Sequence, residues 1–368
     1  MSQISMPQFL SSRSWVRWIL SLLLISPYLM YAQAPAHFSL QVDRGGQGEL
    51  TGVPLRNPIL ASGLVQSGSA SGQLTLQTPD LPASFGSLLK GDGPCYLEFV
   101  GPAKHPWLGH RLEIDVARTK QSTNEFIFVS SSQRNTKWPV DSAVAGGQAE
   151  IRSHIVLPTL LERVLKNQQV ASTGMGERLY PYPAFASVGM SLSSGRMSSL
   201  FIWMDKSGKV FWGADPATGI VTPEHSLILP PASAVALNLG PAPLGLGFSG
   251  DEVKTPVVAP IYAGTNLLCY PYMASMKLSP VWSLKNKFLS KTESVSQCDR
   301  IVIRKDGEDQ QYALYPLFGF GSYGVWQKQD PKTGNWIHPP EYLKAIDPGQ
   351  GFYFISSRNY PAHTFLPP

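Results

Sequence analysis

Two stretches, Gly245-Leu-Gly-Phe-Ser-Gly250 and Gly319-Phe-Gly-Ser-Tyr-Gly324, have the G-x-G-x-x-G spacing that lets a backbone approach a pyrophosphate. That chemistry needs a buried strand before the glycines and a helix after them, whose N-terminus holds the phosphates. The first stretch runs into Asp251-Glu-Val-Lys-Thr-Pro256 and the second into Val325-Trp-Gln-Lys-Gln-Asp-Pro331. Neither starts a helix, so no nucleotide cofactor is expected. A serine hydrolase needs its nucleophile on a sharp turn, and Ser191, Ser194 and Ser322 lie in no G-x-S-x-G motif. The histidines, His37, His105, His110, His154, His225, His338 and His363, are dispersed. The closest pair, in His105-Pro-Trp-Leu-Gly-His110, is spaced by a loop and not by a helical turn, which argues against a shared metal. No metal site is expected.

Glycoside hydrolysis needs only two carboxylates at the right separation, and Asp205, Asp215, Asp251, Glu252, Asp299 and Asp330 are available for it. Most of these sit in turn signatures that explain them without catalysis, and Asp299 precedes a strand as a structural acid would. Aromatic residues suggest a different chemistry. Trp203, Trp212, Trp282, Trp326 and Trp336, with Tyr312, Tyr315 and Tyr323, are dense toward the C-terminus, and exposed aromatic rows on a sheet can bind the apolar faces of sugars. Trp336, Trp326 and Trp212 are the candidate ligand-binding residues. Trp336 lies beside a turn and before His338-Pro-Pro340. Core packing is the competing role for Trp212 and Trp326, because large aromatics in antiparallel sheets are usually buried.

The elements that carry these residues are strands. Tyr96-Leu-Glu-Phe-Val100, Arg111-Leu-Glu-Ile-Asp-Val116, Glu125-Phe-Ile-Phe-Val129, Asp299-Arg-Ile-Val-Ile-Arg304 and Gly351-Phe-Tyr-Phe-Ile355 are short β-branched and aromatic runs. Gly, Pro, Asp and Asn separate them, as in antiparallel strands joined by turns. One short helix is expected over 158–166, where Leu160, Leu161, Val164 and Leu165 share a face behind Pro158. The expected fold class is all-β, with antiparallel sandwich or barrel-like modules.

The sequence also echoes itself. Trp212-Gly-Ala-Asp-Pro-Ala-Thr-Gly219 returns as Trp326-Gln-Lys-Gln-Asp-Pro-Lys-Thr-Gly334, each a tryptophan leading into an Asp-Pro turn. Downstream, Leu229–Leu237 aligns without a gap onto Ile346–Phe354, and Glu49–Leu55 is a weaker echo of Asn266–Tyr272. An internal duplication is the expectation. The implied organisation is a leader at 1–36, an N-terminal β module at 37–150, a β unit with the short helix at 151–240, a Gly/Pro-rich linker or extended segment at 241–265, and a related β unit at 266–368.

Composition and charge narrow the function classes. The 368 residues are 43% hydrophobic and 15% charged, which excludes a disordered chain. The first 36 residues hold Arg13, Arg17 and no acid, then an apolar run and the small residues Ala34 and Ala36, the pattern of a cleaved secretory leader. The apolar run is too short and too interrupted by Pro27 to serve as a span, and none is expected after leader removal. Loss of the two arginines takes the formal charge from +5 to +3, and the remaining basic residues form no stripe for a phosphate backbone, so nucleic acid is not an expected partner. Cys95, Cys269 and Cys298 are too few for a disulfide scaffold. Cys269 with Cys298 is the pair to consider, against the equal alternative of buried free thiols.

The succession Gly52-Val-Pro-Leu-Arg-Asn-Pro58, Tyr96-Leu-Glu-Phe-Val100, Gly109-His-Arg-Leu-Glu-Ile114, Ile151-Arg-Ser-His154, Gly264-Thr-Asn-Leu-Leu268, Asp299-Arg-Ile301 and Ile346-Asp-Pro-Gly-Gln-Gly-Phe352 resembles an uncharacterised family of secreted, paralogue-rich bacterial proteins. The resemblance spans most of the chain after the leader. It implies export and a β-rich, non-catalytic role, and it brings no catalytic residues. The expectation is a secreted, periplasmic or cell-surface protein that is not an enzyme and binds an extracellular polysaccharide or another surface protein. An extracellular carbohydrate-active hydrolase is the alternative.

Overall fold

Alternating apolar residues bounded by turn formers make the described residues mostly antiparallel sheet. The computed structural model describes residues 36–42, 49–78, 89, 93–121, 126–157, 180–181, 187–191, 197–204, 210–213, 227–238, 244–278, 298–305, 308–316, 324–337 and 345–368. The expected leader, the expected helix at 158–166 and the first Asp-Pro turn at 215–219 lie outside these residues.

The chain opens with β1 (Ala36–Val42) and β2 (Glu49–Gly52), then β3 (Leu55–Arg56). Next come β4 (Ile59–Gly68), β5 (Gln73–Gln77), β6 (Cys95–Gly101), β7 (Arg111–Glu113), β8 (Phe126–Phe128) and β9 (Gln148–Ser153), which form one six-stranded sheet in the order β7-β6-β9-β4-β5-β8. Ile114 bridges Val129, and Ser130 N donates to Glu113 O at 2.9 Å, so the two edge strands meet and the sheet curls into a barrel. Its interior packs Val65, Leu76, Leu97, Phe99, Trp107, Ile127 and Ile151. Trp107 reaches a polar partner at the wall, its Nε1 donating to Asp141 Oδ1 at 3.0 Å. Where the sequence suggests strand as far as Val116, the chain turns instead into a short helix, α1 (Val116–Lys120), because Asp115 accepts from Arg118 N and caps it.

The remaining strands fall into two sets. In chain order the first adds β10 (Ile155–Val156), β11 (Tyr180–Pro181), β12 (Ser187–Ser191), β13 (Met197–Met204), β14 (Val210–Gly213), β15 (Ile228–Leu229), β16 (Ala234–Asn238) and β17 (Leu244–Glu252). The second begins with β18 (Val257–Ile261), β19 (Gly264–Cys269), β20 (Met276–Lys277), β21 (Arg300–Lys305) and β22 (Glu308–Pro316). It ends with β23 (Gly324–Gln329), β24 (Trp336–Ile337), β25 (Ala345–Ile346), β26 (Gly351–Ser356) and β27 (Tyr360–Phe365).

The pairing scheme of the first set recurs in the second. β1 pairs β17 as β18 pairs β27, β2 pairs β16 as β19 pairs β26, and β10 pairs β15 as β20 pairs β25. The run β16-β12-β13-β14 likewise matches β26-β21-β22-β23. Registers agree as well, since Ala234 faces Gly52 where Gly351 faces Cys269. Each set turns into its long strand in the same way: Ser233 N donates to Pro230 O and Gln350 N to Asp347 O, both at 3.0 Å. The preceding residues, Ala232 at φ 65° and Gly349 at φ 73°, are both left-handed. The two sets also grip each other reciprocally. Gly52 N donates to Gly349 O at 2.8 Å, and Cys269 N to Ala232 O at 3.0 Å. Between them Leu50, Leu267, Ala234 and Cys269 form a small shared core.

Relative to this scheme the barrel lies between β3 and β10. Residues 56–154 stand where the second set has only 273–275. The boundary expected at 150 falls inside β9, a barrel strand that ends at Ser153, and the opening strands β1 and β2 of the first set precede the barrel. The segment 241–265 is extended rather than a linker: its described residues hold β17, β18 and the start of β19, and β17 pairs with β1. All three cysteines are buried and none is in a disulfide, so the pairing considered for Cys269 and Cys298 is absent.

Candidate functional site

The residues with the most obvious chemistry are occupied by structure. Gly245–Gly250 lies within strand β17, without the turn into a helix that a pyrophosphate needs. His105 Nδ1 accepts from Trp107 N, and His110 Nδ1 lies 3.1 Å from Thr136 Oγ1, so this pair braces a loop. Asp299 is buried and accepts from Ser356 Oγ, Ser357 N and the Tyr360 hydroxyl. Asp330 accepts from Lys332 N and Thr333 Oγ1, both at 2.9 Å, which is the turn role read from its motif. Asp251 is ion-paired with Arg152 at 2.6 Å, and Glu252 is exposed on β17. Asp205 and Asp215 lie outside the described residues. Among those residues no group of three His, Cys, Asp or Glu side chains converges, and no helix is long and apolar enough to cross a membrane.

The tryptophan candidates are scattered. Trp326 is only 3% exposed and packs in the core of the second set, a correction to its candidacy, because a ring covered on both faces has none left for a ligand. Trp336 is half-buried on β24 at the end of its sheet, opposite Gln329. Trp212 lies on β14 opposite Ile202, and its side chain is outside the described residues.

Sequence inspection misses a buried charge network at the root of the barrel. Arg56 on β3 and Glu98 on β6 lie 2.8 Å apart, both almost fully buried. Arg152 on β9 bonds Glu150 at 2.7 Å and Asp251 on β17 at 2.6 Å. His154 Nε2 lies 3.0 Å from both Glu113 oxygens, and its ring packs on Tyr96 with centroids 4.6 Å apart. Burial raises Glu98 above the usual carboxylate range, against the pull of Arg56 and Arg111, and pushes the Tyr96 hydroxyl up to about 12. The space beside Tyr96, His154 and Ser153 is about 10 Å³, room for a water at most. The network therefore ties the barrel to the flanking strands, and the His–Glu pair has no room for a substrate.

A larger space opens next to this network. A cleft of about 500 Å³ lies between the barrel residues Arg111 and Ser132–Arg134, the turn through Pro230 and Pro231, and β18–β19 with Tyr262 and Asn266. Its size is that of a small-ligand site. Arg111 Nη2 donates to Val258 O at 2.8 Å, fixing the guanidinium at the wall. Burial lowers Arg111 from its ordinary value, with Glu98 opposing, and an arginine stays charged all the same. Asn266 is held rigidly by Tyr262 N, Tyr262 O and Gly264 O. No carboxylate is among the described residues that line the cleft.

None of these lining residues could be picked from the sequence. The one available signal was the pair of Pro- and Gly-rich turns at 230–231 and 348–349, which marks the hinge of each set but not a site. No protein-family model, curated protein or solved structure matches the chain.

Proposed function

We propose that this is an exported, non-catalytic binding protein whose ligand occupies the cleft between the barrel and the two strand sets. Its scaffold is read as a tandem duplication, with the barrel inserted into the first copy as the element that makes one face different from the other. The observation that carries the functional reading is the composition of the cleft: two guanidiniums, hydroxyls, amides and an aromatic ring, with no carboxylate among the described lining residues. Such a wall orients and holds a polar ligand, but it lacks the acid and base that hydrolysis of a glycosidic bond requires. Of the candidate carboxylates, Asp251 is ion-paired, Asp299 is buried in hydrogen bonds and Asp330 holds a turn, which weighs against the hydrolase alternative. Export rests on the leader pattern at 1–36 and agrees with the resemblance to secreted proteins.

The test is binding of the secreted chain to a panel of immobilised polysaccharides, with released reducing sugar assayed alongside. Gln133→Trp fills the cleft from an exposed loop position and should abolish binding while leaving the melting temperature unchanged. Release of reducing sugar, or binding indifferent to Gln133→Trp, would sink this function.

A further inference from the structure

We propose that the cleft takes a carboxylate-bearing sugar, a uronate residue of an acidic polysaccharide; this rests on the cleft being the ligand site. Arg111 is 5% exposed, donates from Nη2 to Val258 O, and has no partner for its Nε. Arg134, on the neighbouring loop, is 40% exposed and makes an ion pair with Glu113 at 3.8 Å, longer than a hydrogen bond and open to water. The two guanidiniums line a space with no carboxylate among its described lining residues, and a planar fork of donors matches a carboxylate in two-point contact. Burial of Arg111 strengthens that attraction, because the local dielectric is low.

The rest of the lining fits a hydroxylated ring. Tyr262, Pro230 and Pro231 supply apolar faces of the kind on which sugar rings rest, and Ser132 and Gln133 supply hydroxyl and amide partners beside them. An acidic peptide is the competing occupant, and the wall argues against it. Peptides commonly bind by adding a strand to a free edge. Here the edge of β19 is covered by the turn, with Ser233 bridging Leu268 and Cys269 N donating to Ala232 O. β18 is paired with β27 on one side, and its Val258 N donates to Gly109 O at 3.0 Å on the other. The backbone of both wall strands is therefore spent, and recognition falls to side chains.

Calorimetric titration of the secreted chain with polygalacturonate, neutral galactan, dextran sulfate and poly-L-glutamate tests this. The expected result is binding of polygalacturonate, at least tenfold tighter than of galactan or poly-L-glutamate, weakened tenfold or more in Arg134→Gln and in Arg111→Lys. Arg111 is buried and its variant can lose the fold, so Arg134→Gln, at an exposed position and checked by its melting temperature, carries the decision. Galactan binding as tightly and unchanged by Arg134→Gln, yet lost in Gln133→Trp, would overturn the uronate assignment and leave the cleft as the site. Dextran sulfate or poly-L-glutamate binding better than polygalacturonate would overturn the assignment in the same way, as would no binding by any probe. Binding of polygalacturonate that survives Gln133→Trp would instead overturn the cleft itself.

Discussion

The reciprocal grip between the two strand sets makes a sharp prediction at Gly52. An added Cβ there would lie 2.3 Å from Cys269 Sγ and 2.4 Å from Cys269 Cβ, whereas carbon atoms in contact sit about 3.5–4.0 Å apart. Both residues are on paired strands, β2 and β19, so neither can swing aside. Gly52→Ala is therefore expected to destabilise by about 3 kcal/mol, the upper end of overpacking costs. Cys269→Gly removes a buried side chain and adds backbone freedom, for a loss of about 2.5 kcal/mol. Independent effects would sum to more than about 5 kcal/mol in the double variant. If the contact is as described, the methyl added by Gly52→Ala enters the space that the Cys269 side chain vacates, and the double variant loses only about 2 kcal/mol, a coupling of about 3.5 kcal/mol. Cys269→Ala makes the control, because its Cβ still blocks the added methyl and it should not rescue. Urea unfolding followed by tryptophan fluorescence gives the cycle. Additivity to within about 0.5 kcal/mol would refute the packing of the two sets at this point.

Three further outcomes are expected. Burial pushes His363 down to about 3 and, with Lys137 adding to it, His110 down to about 4, from 6.5. Below pH 6.5 the unfolded chain then takes up protons that the native state refuses. This stability is full above pH 6.5 and falls by about 1.4 kcal/mol per pH unit for each histidine as pH drops toward 4. His363→Phe should flatten that fall by one proton's worth between pH 6.5 and 4.5, and unfolding midpoints with parallel pH slopes in the two proteins would contradict it. Glu98→Gln strands the buried Arg56 charge and should cost about 3–5 kcal/mol, whereas Arg56→Met combined with Glu98→Leu should cost much less. Urea midpoints that rank the double variant below the single one would count against the ion pair. Finally, burial pushes the Cys269 thiol up to about 12, and all three cysteines are buried outside any disulfide. A thiol reagent at pH 8 should label none in the native protein and three in denaturant, and fewer than three would reveal a disulfide.

The strand-rich character of the chain was legible from local pattern. Tyr96–Val100, Asp299–Arg304 and Gly351–Ile355 coincide with β6, β21 and β26, because alternating β-branched and aromatic residues between turn formers have few other ways to bury one face. The Asp330 turn was equally legible, since Asp, Pro, Thr and Gly act on their immediate neighbours. The stretch 241–265 misled for the opposite reason. Its glycines lower intrinsic strand preference, yet Gly250 is placed where a Cβ would lie 2.3 Å from Arg56 O, so close approach of β3 to β17 favours glycine within a strand.

What sequence alone determined about this protein is local: strand segments, turns, and the matched spacing of Leu229–Leu237 and Ile346–Phe354. Tertiary structure alone decided the placement of the barrel and the contacts it brings. Arg56 meets Glu98, Arg152 meets Asp251, and Arg111 meets Val258 O across separations of tens to more than a hundred residues. The cleft draws its walls from three such distant segments. No local propensity encodes those meetings, because each is chosen by the packing of whole sheets, in which every side chain's neighbours depend on where all the others have gone.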